Sequence, residues 1–154
     1  MEGTNEGPLT DPLTAAVVEA ARHAAGGKWG EPPRLYALAP RKSLSGNLSA
    51  QVRAAAPDAL IPIEQRPLDP GDPAEVLAGI YWPESVDGCV LVTEIVIDGD
   101  GSPAKRQARL TVGVLRDGPT AARYSCCLQR RDSDEFVISP DIADDLVAAL
   151  LGTL

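Results

Sequence analysis

The sequence predicts an α+β fold, a single domain in which an antiparallel sheet of roughly five strands packs against helices. The length of 154 residues fits one domain with one core. Helical periodicity occurs near both ends of the chain, and three consecutive strand-like segments follow one another from residue 86 to residue 129. We expect the order α-β-α-β-α-β-β-β-α, with residues 1–10 as a flexible tail and residues 11–154 as one domain.

The first helix begins at Asp11-Pro12, because aspartate accepts free amides at a helix start and proline is tolerated in the first turn. Gly26-Gly27 ends the helix. Its apolar residues recur at helical spacing and define one buried face, which consists of Leu13, Ala16, Val17, Ala20 and Ala24.

The next three segments contain two strands and a short helix. Residues 34–39 form a short apolar strand bounded by prolines. Apolar spacing over residues 44–52 predicts a second helix. Residues 59–65 are extended, and Pro62 belongs at a sheet edge or beside a bulge because proline cannot donate to a strand ladder.

A third helix begins at Asp72-Pro73 and ends before Pro83, since proline interrupts helical hydrogen bonding. Residues 86–97 follow as a strand with apolar side chains at both parities. This pattern is typical of a strand that is covered on both faces, so we expect it at the centre of the sheet.

The segment between this helix and this strand, WPESVDGC, raises the question of an active site. Glu84, Ser85 and Cys89 carry chemistry, but no histidine lies nearby in sequence to serve as a base. A polar turn is the simpler interpretation, with Trp82 as a packing anchor at the corner. Glu94 faces water in this interpretation; if it is buried instead, it needs an arginine partner.

The last two strands are residues 108–115 and 121–129. Their pairing register can be predicted, because the buried face of the sheet must be apolar. If Leu115 pairs with Ala121, then Val112 meets Tyr124 and one face is apolar, which predicts a connection of three or five residues. The opposite face collects Arg109, Thr111, Arg123, Ser125 and Cys127.

The final helix is predicted to begin at Ser139-Pro140, because serine caps a helix start and proline is tolerated in the first turn. Its inner side consists of Ile142, Leu146, Val147, Leu150 and Leu151.

Charge, apolar run length and cysteine spacing argue against nucleic-acid-binding, membrane-spanning and disulfide-bonded secreted proteins. A net charge of -8 disfavours nucleic-acid binding, which needs a clustered basic surface. No apolar run reaches the ~20 residues of a membrane span, and the acidic, polar first residues do not lead us to expect a secretion signal. The three cysteines lack scaffold spacing, which fits a reducing compartment. We therefore expect a cytoplasmic protein.

Candidate catalytic and metal sites are scarce. His23 is the only histidine, and its position at the end of the first helix predicts a surface residue that the helix dipole favours. Cys126 and Cys127 are adjacent on a strand and point to opposite faces, so they do not form a zinc site. The oxygen-rich stretches DGDG and DSDE are typical of turns. We assign no catalytic residue, no metal and no cofactor.

Four separated motifs, GKWGEPPRLYAL, WPESVDGCVLV, RLTVGVLRDG and PDIADDLVAALLGTL, resemble those of a family of small uncharacterised actinobacterial proteins. The resemblance extends through nearly the whole chain after the tail and implies no activity. Members of that family often carry a His-Pro-Asp-Arg-like segment where this chain has SPAKRQARL, so a catalytic role for that histidine would not transfer.

Two functions remain open. The lack of a catalytic constellation favours a non-catalytic protein-interaction or accessory module with an unidentified protein partner. The alternative is a binder of a small anionic ligand, or an enzyme acting on one, because arginine among hydroxyls can hold a carboxylate or phosphate. Its ligand-binding residues would be Arg109, Arg123, Thr111, Ser125 and Glu94. The simpler interpretation of this face is the solvated side of an antiparallel sheet. Both functions are compatible with a homodimer.

Overall fold

A computed structural model describes residues 11–66, 68, 72–96, 107–117, 123–131, 133, 135–138 and 143–154. The predicted tail, residues 1–10, lies outside the described residues. Within these ranges the helices are α1 (Pro12–Ala25), α2 (Ala50–Arg53), α3 (Pro73–Leu77) and α4 (Asp144–Leu151). The strands are β1 (Arg34–Pro40), β2 (Leu60–Glu64), β3 (Gly88–Val96), β4 (Gln107–Leu115), β5 (Tyr124–Arg130) and β6 (Val137–Ile138).

The strands form one sheet in the order β2-β1-β3-β4-β5-β6, and every neighbouring pair is antiparallel. The α+β prediction is confirmed. The sheet has one strand more than the five expected, because β6 is only two residues long and gives no periodic signal. As predicted, β3 lies near the centre of the sheet, between β1 and β4.

Helix α1 covers one face of the sheet. It begins where predicted: Asp11 Oδ2 accepts a hydrogen bond from the Thr14 backbone N–H at 3.0 Å. Gly113 on β4 lies beneath the helix, and a Cβ there would collide with Val17 and lie 3.2 Å from Leu13 Cδ1. The missing side chain therefore lets the helix approach the strand closely. The helix contributes a mostly small buried face, namely Leu13, Ala16, Val17, Ala20, Ala21 and Ala24.

The opposite face of the sheet packs against α3 and α4. On β3 the side chains alternate between the two layers: Val90 and Val92 lie under α1, whereas Cys89 and Leu91 lie in the other layer. Both faces of this strand are thus buried, as its apolar pattern predicts. The second layer is completed by Leu35, Leu77, Leu110, Val112, Val114, Cys126, Val147 and Leu150, among others.

The register of β4 and β5 is offset by two residues from the prediction. Val112 pairs with Cys126 instead of Tyr124, and Tyr124 pairs with Val114. The Leu115 N–H donates to the Arg123 carbonyl, so residues 116–122 connect the paired positions; their number is odd, as predicted, but larger than three or five. A shift of two keeps the alternation of faces, so the apolar side is still the predicted one.

Two helix predictions are wrong in extent. The segment predicted as a helix over residues 44–52 is helical only at Ala50–Arg53, where the Ser49 hydroxyl accepts from the Val52 N–H, with a separate 3-10 turn at Arg41–Ser43. The last helix begins at Asp144, and its N-cap is Ala143; the predicted cap Ser139-Pro140 and Ile142 lie outside the described residues.

Strand β2 is an edge strand, as Pro62 predicts. The Gln65 N–H donates to the Leu35 carbonyl, and the Arg41 N–H donates to the Ala59 carbonyl. The residues of β2 that hydrogen-bond to β1 are therefore the odd-numbered ones. Because antiparallel ladders alternate, Pro62 lies at a position whose backbone faces away from β1. The missing N–H of proline therefore costs no bond to β1, and its carbonyl faces outward.

Candidate functional site

The predicted polar face of β4 and β5 is buried. Arg109 is 6% exposed, Thr111 1% and Ser125 6%, because α1 packs across these strands. The expectation of a solvated face is therefore wrong. The hydroxyls of Ser125 and Thr14 lie 3.1 Å apart, so a side chain of the helix is a hydrogen-bond partner of the buried Ser125 hydroxyl. The alternation of β4 gave the correct face, but it could not reveal that a helix rich in alanine covers it.

Arg109 is held by the segment that follows α1. Its Nη2 donates to the carbonyl oxygens of Gly27 and Lys28, at 3.2 and 3.0 Å, and its guanidinium lies over the Trp29 ring. Burial lowers the pKa of Arg109, and the negative charge of Glu94 opposes that shift. A buried cation needs hydrogen-bond acceptors, and the segment after α1 supplies them here. The guanidinium of Arg109 therefore holds this segment against β4.

Glu94 is half-buried and lies across from Arg109 in the β3–β4 register. Its Oε2 accepts a hydrogen bond from the Gly30 N–H at 2.6 Å. Glu94 is thus neither the fully water-facing residue that we expected nor a deeply buried one. Glu94 lines a small cleft together with Glu31, Arg34 and Arg109.

Arg123 directly precedes β5 and lies beside the last residue of β4, Leu115, whereas Arg109 lies near the first residue of β4. The Nε of Arg123 donates to the Leu115 carbonyl at 3.2 Å and its Nη2 to the Arg116 carbonyl at 2.8 Å. Leu115 and Arg109 are six positions apart on one strand, which corresponds to about 20 Å. The five residues predicted to bind an anion therefore separate into an Arg109–Glu94 end, a buried middle with Thr111 and Ser125, and an Arg123 end.

The WPESVDGC segment is a corner between α3 and β3. Trp82 packs against the core layer that α4 covers, and its backbone N–H donates to the Thr153 carbonyl at 2.9 Å. Arg116 Nη2 donates to the Pro83 carbonyl at 2.9 Å, which ties the turn to the end of β4. Burial raises the pKa of Cys89 to about 11, whereas a nucleophilic cysteine needs a lowered pKa. The prediction of a packing anchor at Trp82 is confirmed.

A wide groove beside this corner, lined by both apolar and polar residues, was not predicted. Its volume is about 780 Å³, and it lies between α3 and the segment that follows β2. Tyr81 stands at the groove with 82% of its surface exposed, next to the half-buried Trp82. The sequence carried one signal, a Tyr-Trp pair directly after a short helix. The remaining lining residues include Leu35, Arg66, Leu68, Val76 and Ile80.

A second cleft lies between α1 and the β1–β2 hairpin. His23 is exposed in the last turn of α1, as predicted, and its Nδ1 lies 2.9 Å from the hydroxyl of Tyr36. The Tyr36 side chain is 2% exposed, and burial raises the pKa of its phenol while Arg34 acts in the opposite direction. Sequence analysis missed this pair, because the contact joins a helix to a strand and neither residue belongs to a motif.

The fold and these surfaces define a small α+β domain with one antiparallel sheet between two helical layers. Among the helices in the described ranges, none has both the length and the apolar character that crossing a bilayer requires. The chain belongs to the PPA1309-like protein family, whose model matches residues 13–154. This match confirms the resemblance to an uncharacterised family and assigns no activity. No curated protein and no solved structure matches the chain.

Proposed function

We propose that the protein is a non-catalytic interaction module and that a partner polypeptide binds in the groove beside Tyr81. The observation that supports this proposal is the exposure of a large aromatic side chain, 82%, beside a groove of about 780 Å³ that several apolar side chains line. Exposed aromatic side chains next to pockets are typical of protein-binding surfaces, since tyrosine and tryptophan contribute strongly to binding at interface centres.

The chemistry of the groove favours one kind of partner. Its walls include the aliphatic side chains of Leu35, Val76 and Ile80, and among the described residues that line it Arg66 carries a charge. An apolar segment that carries a carboxylate fits this arrangement, because its apolar side chain replaces water in the groove while its carboxylate meets Arg66. A second copy of the chain is the competing occupant.

The test compares full-length protein with two variants that each remove an exposed apolar side chain. Tyr81→Ser alters the groove, and Val96→Ser alters another strongly exposed apolar site, on β3, where Val96 is 74% exposed. A protein captured from native extract is purified, and its binding to each variant is measured by calorimetry. We expect Tyr81→Ser to weaken binding by at least about tenfold, in line with an aromatic interface residue, and Val96→Ser to leave it unchanged.

The proposal fails if binding of every captured protein is insensitive to Tyr81→Ser, or if sedimentation shows self-association as the only interaction. Arg66→Glu provides a second readout, since it should weaken an acidic partner and leave the fold intact at this exposed position.

The small-anion alternative stays a prediction. Arg109 and Arg123 both donate to backbone carbonyls, so an anion at either residue must compete with these bonds. A thermal-shift screen with phosphorylated metabolites and carboxylates tests the alternative, because any ligand of the folded state raises the melting temperature. The absence of any stabilisation would exclude it.

A cytoplasmic location is also part of the proposal. It is supported by the buried thiols of Cys89 and Cys127, since unbridged buried cysteines are typical of a reducing compartment.

A further inference from the structure

The loop between β1 and α2 carries positive charge in an acidic protein. Residues 32–57 contain Arg34, Arg41, Lys42 and Arg53 and no aspartate or glutamate, whereas the whole chain has a net charge of -8. Residues 44–49 belong to no helix or strand, and Ser45 is exposed among them. Because an exposed, irregular loop can enter the active site of a modifying enzyme while the domain stays folded, this loop is a candidate for modification.

The cations of the loop are not neutralised. Arg41 and Lys42 form no ion pair with any residue that the structure describes. Asp58 lies just before β2, between the Pro57 and Ala59 carbonyls that accept from the Lys42 and Arg41 backbone N–H groups, and it pairs with neither side chain. The charge of the loop is thus free to attract an anionic group or an acidic enzyme surface.

The guanidinium of Arg41 lies beside Ser45. Its Nη1 donates at 3.4 Å to the carbonyl of Leu44, which belongs to the peptide group that leads into Ser45. The Nε of Arg41 is buried and has no hydrogen-bond partner among the described residues. Because one long hydrogen bond uses little of the donor capacity of a guanidinium, Arg41 can bind a further acceptor at residue 45.

Ser45 also differs from the other hydroxyl-bearing residues. Among the serines and threonines that the structure describes, Ser45 and Ser85 are exposed and have hydroxyls without a hydrogen bond. Ser85 lies between Glu84 and Asp87, whose carboxylates would repel a phosphate. Space is open next to Ser45, since a Cβ added at Gly46 would meet no atom within 4 Å. The surroundings of Ser45 therefore suit a phosphoryl group, and those of Ser85 do not.

These observations indicate a class of enzyme. Protein kinases select their substrates partly through the charges that flank the target residue, and cations before a serine suit a kinase with an acidic substrate groove. We propose that Ser45 is phosphorylated by a serine kinase that prefers preceding basic residues, and that Arg41 binds the resulting phosphate. This inference is independent of the groove beside Tyr81.

The transfer balances without any further reactant than ATP. The Oγ of Ser45 forms a bond to the γ-phosphorus of ATP, the bond between that phosphorus and the ADP oxygen breaks, and the hydroxyl proton passes to the kinase. A phosphoserine carries a charge of about −2 at neutral pH, so it offsets the charges of Arg41 and Lys42. The loop then loses its attraction for acidic surfaces and is tied to Arg41 by charge-assisted hydrogen bonds.

The first test locates the phosphate. The purified full chain is incubated with native extract and γ-³²P-ATP, and the labelled residue is identified by mass spectrometry. We expect the label at Ser45, no label in Ser45→Ala, and full labelling in the matched control Ser85→Ala. Lys42→Gln should lower the initial rate by about tenfold, since it removes a cation that the kinase recognises. Label at Ser43 or Ser85 instead, or no label at all, would overturn the proposal.

The second test concerns Arg41. In the phosphorylated chain, the second pKa of the phosphate, about 6 for an isolated phosphoserine, is measured by ³¹P NMR. Arg41→Gln should raise this pKa, because a nearby guanidinium favours the dianion. Arg131→Gln removes the same charge beside the first residue of β4, at the end of the sheet away from Arg41, and should leave the pKa unchanged. Equal values in the unaltered chain and Arg41→Gln would contradict the role of Arg41.

Discussion

The guanidinium of Arg109 lies 4.3 Å from the centre of the Trp29 ring, although the two residues are far apart in the sequence. The exposed Arg131 lies over the same ring at 5.4 Å. The ring thus contacts a buried and an exposed cation, and it joins the segment after α1 to β4 and to the end of β5. Arg109, which the sequence suggested as a ligand for an external anion, instead binds groups within the protein.

Replacing Arg109 should destabilise the protein strongly. Arg109→Met leaves the Gly27 and Lys28 carbonyls without their donor and removes the cation–π contact with Trp29. We expect a loss of about 2 to 4 kcal/mol in the free energy of unfolding, measured by urea denaturation. Arg131→Met is the control, since its exposed guanidinium should contribute less than about 1 kcal/mol. Equal losses in the two variants would contradict the assigned role.

Gly113 should tolerate no side chain. Gly113→Ala places a Cβ against Val17 and 3.2 Å from Leu13 Cδ1, so α1 must shift or repack. Overpacking of this kind costs about 1 to 3 kcal/mol. At Gly79 the nearest atom to an added Cβ is the Val76 carbonyl oxygen at 3.8 Å, an ordinary contact, which makes Gly79→Ala the control. Calorimetric melting of both variants checks this expectation; an unchanged melting temperature for Gly113→Ala would refute the close approach.

The start of α1 depends on its capping aspartate. Asp11→Ala removes the acceptor for the Thr14 N–H at 3.0 Å and for the Thr14 hydroxyl at 2.8 Å. We expect a loss of about 1 kcal/mol in the free energy of unfolding. Asp11→Asn keeps an oxygen in the same place and should retain most of that stability. A loss as large in the asparagine variant would indicate that charge, and not the cap, is responsible.

The buried thiols should make the protein less stable in alkali. Burial raises the pKa of Cys89 and of Cys127 from 9.0 to about 11. The folded state thus holds these protons more tightly, so the stabilisation is complete below pH 9 and is lost as the pH rises towards about 11. Denaturation series from pH 8 to pH 11 should show this decline, and Cys89→Ala with Cys127→Ala should flatten it.

The same burial predicts slow thiol chemistry in the native state. At pH 8 a thiol reagent should modify Cys89 and Cys127 only at the rate at which the chain unfolds, and rapidly in urea, because the thiolate is the reactive form. Fast modification in the native protein would contradict their burial.

Local patterns in the sequence predicted the interior of the fold well. The apolar parities of β3 gave its central position, and Asp11-Pro12 gave the start of α1, because both signals depend on neighbouring residues alone. The offset in the β4–β5 register was not predictable in this way, since registers two residues apart bury the same faces.

Contacts between distant segments account for the rest. The polar residues Thr111 and Ser125 on one face suggested exposure, and only the packing of α1 across them shows that they are buried. The His23–Tyr36 hydrogen bond and the groove beside Tyr81 both form where a helix packs against another part of the chain. No spacing within a single segment encodes either feature.

The position of β1 between β2 and β3 has a consequence for folding order. Strands β3 to β6 follow one another along the chain, as do β1 and β2, whereas the seam Arg34↔Val92 to Leu38↔Gly88 joins segments distant in sequence. Closing a long loop is entropically costly, so local pairings should form earlier. In pulsed hydrogen exchange we expect the amides of β4 to become protected before those of Tyr36 and Leu38, which face β3 across this seam, and simultaneous protection would contradict this order. The sheet is then assembled from two parts, β1–β2 and β3–β6, and their joining along this seam is the late step.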